Sequence, residues 1–153
     1  MQVVDFLRED CVLPDLVSPD KVTVLRELVD VLAKKGVVPD AARIVEVLLE
    51  RELLGSTGIG DGVAIPHGKL PGLVDVVAVF GRSRAGVPFD SMDGEPVHIF
   101  ILLLAPEDSA SLHLKALARI ARVVKSPQFR QEVMDASGAM EIYGKIAEED
   151  GKQ

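Results

Sequence analysis

Apolar residues recur every three or four positions in some stretches of this chain and run almost without interruption in others. In "SPDKVTVLRELVDVLAKKG", Val22, Leu25, Leu28, Val29 and Leu32 fall on one face of a helix. Ser18 is placed to cap that helix, Pro19 suits its first position and Gly36 its end. A second helix is predicted in "DAARIVEVLLERELLG", with Ala41, Ile44, Val45 and Leu48 inward. One further step of three along that face reaches Arg51, a permanent charge at the helix end. Two nearly continuous apolar runs, "VDVVAVFGRS" and "PVHIFILLLAP", read as strands covered on both faces. The segment between them, "SRAGVPFDSMDGEP", reads as turns. A long helix follows from about Ser111 to Ser126, with Leu117, Ile120 and Val124 inward and Lys115, Arg119, Arg122 and Lys125 outward. "SPQFRQEVMDA" restarts a helix at Pro127, and "GAMEIYGKIAEED" adds a last amphipathic one. Helices on both sides of a central sheet make an α/β sandwich, with residues 1–153 as one domain.

Composition narrows the core and the partners. Hydrophobic residues make up 48% of the chain and aromatic residues 4%, with no Trp, so the core is aliphatic. A formal net charge of −7 argues against nucleic acid and anionic membrane surfaces, both of which call for clustered Lys and Arg. Cys11 is the single cysteine, so no internal disulfide forms. "MQVVDFLRED" lacks the order of a signal peptide, and the longest apolar run, "VHIFILLLA", falls short of the ~20 residues that span a bilayer. A cytoplasmic protein without membrane insertion is expected.

The chemistry concentrates in "GSTGIGDGVAIPHGKLPG", residues 55–72, where six of thirteen glycines surround His67. Pro66 fixes its own φ and restricts Ile65, and Gly68 lets neighbouring groups approach. Metal-ligand spacings are absent, since there is no H-x-x-x-H and no second cysteine. The segment fits neither a Walker-type nucleotide loop nor a dinucleotide fingerprint. An imidazole nucleophile among backbone N–H donors remains, which suits a phosphoryl group carried on nitrogen. His113 lies in the first turn of its helix on the inward side, and reads either as a core histidine or as part of an anion site. Arg51 reads either as a cation complementing its helix dipole or as a site residue. His98, at a strand start, is structural.

"STGIGDGVAIPHGK" resembles the phosphohistidine motif of enzyme IIA domains of the fructose–mannitol class, in the bacterial phosphoenolpyruvate-dependent phosphotransferase system. The resemblance extends over most of the chain. Arg51 and His113, in "LHLKALARIARVVKS", match the arginine and second histidine that line this family's site. The resemblance implies a three-layer α/β/α sandwich with a small mixed central sheet. It also implies a relay, in which an HPr-like carrier donates a phosphoryl group to Nε2 of His67. A cysteine or histidine on a IIB domain, or a regulated protein, is the downstream acceptor or target. Arg51 and His113 would stabilise the phosphoryl oxygens, while Thr57, Gly58, Gly60 and Gly68 would let phosphate and partner approach. No metal, nucleotide or other cofactor is implied.

Three functions follow from that resemblance: a nitrogen-type regulatory IIA, a sugar-transport IIA feeding a permease, and an interaction module without phosphoryl transfer. The chain runs to "EEDGKQ" without an attached IIB, IIC or HPr-like domain, and this inclines the expectation toward regulation. The intact "PHG" with Arg51 and His113 speaks against the module.

Overall fold

The two apolar runs pair with each other at the centre of a six-stranded sheet. In the computed structural model, which describes residues 1–152, the strands are β1 (Val12–Leu13), β2 (Gly58–Gly60), β3 (Val63–Ala64), β4 (His67–Leu70), β5 (Val77–Val87) and β6 (Val97–Pro106). The helices are α1 (Lys21–Lys34), α2 (Ala41–Leu53), α3 (Ala110–Val124), α4 (Pro127–Asp135) and α5 (Ala139–Gly151). Strand order is β1-β5-β6-β3-β2, with β4 also bonded to β6. β5 and β6 are antiparallel, as are β2 and β3, whereas β1 runs parallel to β5 and β3 and β4 run parallel to β6. The sheet is therefore mixed. All of β6 except His98 is buried, as an apolar strand covered on two faces should be.

Successive strand residues point to opposite faces, so Gly81 and Arg82 identify the two covering layers. A Cβ on Gly81 would lie 2.7 Å from Leu16 and 2.9 Å from Leu28 of α1. Arg82 reaches the other way, where Nη1 donates to the carbonyls of Val133 (3.0 Å) and Ala136 (2.6 Å) around the end of α4. α1 and α2 pack on each other and on β5 and β4, while α3, α4 and α5 pack together over β6, β5 and β1. The result is the three-layer α/β/α sandwich.

Arg82 is a fully buried cation in a core built of aliphatic residues and phenylalanines. Its Nε donates to the carbonyl of Pro14 at 2.9 Å, so one guanidinium serves three backbone oxygens from two segments. Arg82→Met keeps the apolar stem but leaves those carbonyls without their charged donor. A loss of about 3 kcal/mol is expected from the urea midpoint and slope, and a loss below about 1 kcal/mol would mean that water replaces the guanidinium.

Several local features differ from their sequence pattern. α1 starts at Lys21, with Asp20 rather than Ser18 as its cap, because the Asp20 carboxylate accepts from the Thr23 N–H at 2.9 Å and from its hydroxyl at 2.8 Å. Ser18 instead donates to the Glu27 carboxylate at 2.6 Å, and Pro19 lies before the helix. Val22, in the first turn at the margin of the apolar stripe, is 52% exposed, and Val24 takes a buried place. Gly36 does end the helix region: at φ +72° it donates to the carbonyl of Ala33, and Val37 donates to that of Leu32, a Schellman closure. β5 continues through Val87 into the segment that reads as turns, with a register break between Arg82 and Val87 and Gly86 at φ +86°. Arg119 turns inward to the buried Asp150, which also accepts from the N–H of Val3 at 2.6 Å, tying α3, α5 and the N-terminal segment together.

One feature of the sheet positions the candidate chemistry. β3 and β4 follow each other along β6 in a single register, with Val63 opposite Ile99 and His67 opposite Leu103. Pro66, between them, has no N–H to give to the ladder, which resumes with the Leu103 N–H donating to the Pro66 carbonyl at 2.9 Å. His67 thus opens β4, whose one partner among the described strands is β6.

Candidate functional site

His67 is half-buried, and its Nδ1 lies 2.8 Å from the carbonyl oxygen of Ile65. A carbonyl can only accept, so Nδ1 carries the hydrogen and the lone pair of the neutral ring sits on Nε2. The turn at Ile65–Pro66 makes this bond local, so the tautomer is set by the same backbone that interrupts the strand. Gly68 faces α2, where a Cβ would come within 3.1 Å of Val47 and 3.7 Å of Leu48. This close approach brings the C-terminal half of α2 against β4.

The opposite side of β4 meets α3. The rings of His67 and His113 lie 5.4 Å apart between centroids, edge to face at 75°. His113 is 6% exposed, and its Nε2 is buried without a hydrogen-bond partner. Between α2 and α3 an open pocket of about 580 Å³ is lined by Arg51, Leu54, His67, Gly68, Lys69 and His113, with Val47 and Glu50 completing it. Arg51 donates from Nη1 to the carbonyl of Gly55 at 2.8 Å, closing the turn that follows α2 and leaving its other N–H groups for a ligand. A depression of the same volume on the other flank of α2 holds Lys21, Glu52 and Asp90 but no imidazole.

Burial lowers the pKa of His67, and the Arg51 charge adds to this against the Ile65 hydrogen bond and Glu52, which raise it. Burial likewise lowers that of His113, helped by His67 and Lys69. Both rings are therefore neutral near pH 7, and the pocket joins an unprotonated Nε2 to an arginine and a lysine. Such a group can attack an electrophile whose oxygens the cations hold. Both histidines are expected to titrate below their ordinary 6.5 in an NMR pH titration. The sign for stability follows: the unfolded chain binds these protons first, so their contribution is complete above 6.5 and is lost as pH falls through the folded-state values. Thermal unfolding between pH 7.5 and 5 checks this.

Of the residues singled out in the sequence, the structure brings together His67, His113, Arg51 and Gly68. Thr57, Gly58 and Gly60 lie elsewhere. Thr57 is 4% exposed and its hydroxyl donates to the Glu52 carboxylate. Gly58 is pressed against Ser91, and Gly60, at φ +94°, faces Asp93. His98 donates from Nδ1 to the carbonyl of Ser83 at 2.8 Å and packs beneath Gly86, where a Cβ would meet its ring at 2.9 Å. Lys69 is the residue that sequence reasoning missed. It follows His67 by two along β4, so the period of a strand places it on the same face. No cluster of three His, Cys, Asp or Glu side chains suited to a metal ion occurs among the described residues. No helix among them is long and apolar enough to cross a membrane.

The mixed sheet between helical layers thus brings a tautomer-fixed histidine, a buried second histidine and an arginine to one pocket. Residues 5–149 match the family described as "Phosphoenolpyruvate-dependent sugar phosphotransferase system, EIIA 2", and the chain belongs to that family of phosphoryl-transfer proteins. It is 42% identical over 147 residues to a nitrogen regulatory protein of Bradyrhizobium diazoefficiens, covering 96% of this chain and 95% of that one. It is 33% identical over 150 residues to the fructose-specific EIIABC component of Bacillus subtilis, covering 98% of this chain and 24% of that protein. This chain therefore spans about a quarter of that larger relative. Among solved structures it is similar to the crystal structure of the nitrogen regulatory protein IIA-Ntr from Neisseria meningitidis, with a TM-score of 0.88 and 33% identity over 94% of this chain and 98% of that one.

Proposed function

We propose that this protein is a phosphocarrier in which Nε2 of His67 accepts a phosphoryl group from the phosphohistidine of an HPr-like carrier. The observation that carries this reading is the Nδ1–H bond to Ile65, which leaves Nε2 as the nucleophilic nitrogen. In the transfer, a P–N bond forms at Nε2 while the P–N bond to the donor breaks, and the donor nitrogen keeps the electron pair. The His67 ring gains positive character as it is phosphorylated, and the Ile65 carbonyl accepts from the ring N–H that shares this charge. Arg51, Lys69 and a His113 Nε2–H would hold the equatorial oxygens, where most of the protein's contribution to phosphoryl transfer lies. His67 then passes the group to a cysteine or histidine of a IIB domain, or holds it as a signal.

We favour the signal. The end-to-end likeness to nitrogen regulatory proteins supports regulation of partner proteins from the cytoplasm. The likeness to the fructose component supports sugar transport as the second reading. Incubation with phosphoenolpyruvate, enzyme I and HPr-like carriers, one carrier at a time, tests the common step. An affinity pull-down with phosphorylated and unphosphorylated protein separates the roles. Partners held in one state only are expected for regulation, because phosphorylation adds up to about two negative charges. Transfer to a IIB domain, with no such partner, would decide for transport.

A further inference from the structure

The strongest polar construction outside the pocket is a buried carboxylate directly behind it. Glu52, 9% exposed, is the next residue after Arg51 and points to the other flank of α2. One carboxylate oxygen accepts from the N–H of Thr57 at 3.0 Å and from Nζ of Lys21 at 3.2 Å, and the other accepts from the Thr57 hydroxyl. Lys21 also lies 3.4 Å from the Asp90 carboxylate and over the ring of Phe89, at 4.6 Å from its centroid. Four segments thus meet at Glu52: the start of α1, the last turn of α2, the entrance to the glycine-rich loop and the loop after β5.

Two hydrogen-bonded paths run from this point to the pocket. Along the first, the carbonyl of Thr57 accepts from the N–H of Ile65 at 3.0 Å, and the carbonyl of Ile65 accepts from Nδ1 of His67. Along the second, the carbonyls of Arg51 and Glu52 accept from the N–H groups of Leu54 and Gly55, both at 3.1 Å, and the Gly55 carbonyl holds the Arg51 guanidinium. Thr57 lies at the far end of that turn. Holding Thr57 therefore fixes the imidazole on one side and the guanidinium on the other.

We propose that Glu52, acting through Thr57 and partnered by Lys21, is a positioning residue that sets the Nδ1–H tautomer of His67 and the reach of Arg51. This rests on the phosphocarrier reading for its effect on rate, but its effect on the His67 ring stands without it. The pairing with Lys21 has a second consequence. The charge of Glu52 is felt at His67 across α2, and the Lys21 ammonium offsets it for a phosphoryl group there. The role of Thr57 is then not contact with phosphate, which its burial against Glu52 prevents. It is the link between the helix and the loop.

The test compares Thr57→Val, which keeps the side-chain shape but removes the hydroxyl, with Thr57→Ser, which keeps the hydroxyl, and with Glu52→Gln, which keeps acceptor oxygen but removes the charge. Two measurements are made on each: the ¹⁵N chemical shifts of the His67 ring, which report the tautomer, and the single-turnover rate from a phosphorylated HPr-like carrier. Thr57→Val and Glu52→Gln are expected to populate the Nε2–H tautomer of His67 and to slow transfer roughly 10–100-fold, as displacement of a reacting group by about an ångström does. Thr57→Ser is expected to stay within about threefold of wild type in rate, with an unchanged tautomer. A folded Thr57→Val or Glu52→Gln protein with wild-type ring shifts and wild-type rate would overturn the proposal and leave Glu52 a stability element. Should Thr57→Val fail to fold, Glu52→Gln carries the same two readouts. If the wild type takes no phosphoryl group, the functional reading fails, and the ring shifts of the variants still decide the positioning role.

Discussion

His67→Ala is expected to take up no phosphoryl group from any HPr-like carrier, while the wild type is labelled to one equivalent on nitrogen. The reason lies in how unequal the three imidazoles are. His98 is tied to Ser83 and packed beneath Gly86, and it is not part of the pocket lining. His113 shares the pocket, at 5.4 Å from His67, and is the one ring that could substitute as acceptor. It is 6% exposed, however, and its Nε2 is buried, whereas His67 is only half-buried. His67 opens a strand edge and has its lone pair on Nε2. Removing its ring also deletes one hydrogen bond, worth about 1 kcal/mol, so the variant is expected to fold. Mass spectrometry under basic conditions, where a phosphoramidate survives, gives the answer. A stoichiometric label on His67→Ala would move the acceptor to His113 and end the assignment.

The site was partly legible because helix and strand periods project it. The inward face Ala41, Ile44, Val45 and Leu48 is buried, and the step to Arg51 reaches the pocket. The face through Ile120 and Val124 likewise carries His113 inward. Lys69 was available from the same logic, since a strand starting at His67 puts its next-but-one residue on the same face. The glycines around it mask the strand period in the sequence.

The polar network was not legible. Periodicity says where an apolar side chain goes, but a buried charge is placed by partners distant in sequence. Arg82 is an outlier in its strand until the carbonyls of Pro14, Val133 and Ala136 are known to converge on it. Arg119 reads as an outward residue until Asp150 is seen buried beside it. The resemblance places Thr57 where phosphate and partner approach, and only the fold shows its hydroxyl directed at Glu52. In each case two segments must be brought together before the residue has a role. The layers themselves needed no such knowledge, because the apolar runs of β5 and β6 demand cover on both faces.

Arg51→Ala and His113→Ala are each expected to slow phosphoryl uptake by on the order of 10²–10³ while His67 remains the acceptor. Both side chains meet His67 from opposite layers, Arg51 from the end of α2 and His113 from the first turn of α3. Charge spreads over the phosphoryl oxygens as the group passes between two nitrogens, so donors fixed beforehand lower the barrier most. Arg51 is fixed by Gly55, and His113 by burial. The two losses should differ in their rescue. Arg51→Lys restores charge without the planar fork and should recover only part of the rate, whereas His113→Gln supplies a neutral N–H of similar reach. His113→Ala also opens a cavity beside Ala116 and β6, so circular dichroism and a urea midpoint must accompany the kinetics. Single-turnover uptake from a phosphorylated carrier, with carrier in excess, separates the chemical step from docking. Rates within about threefold of wild type for both alanine variants would remove them from the transition state. A double variant slower than wild type by the product of the two single-variant factors would show that they act independently. A smaller loss would mean that removing one donor already displaces the phosphoryl group from the reach of the other.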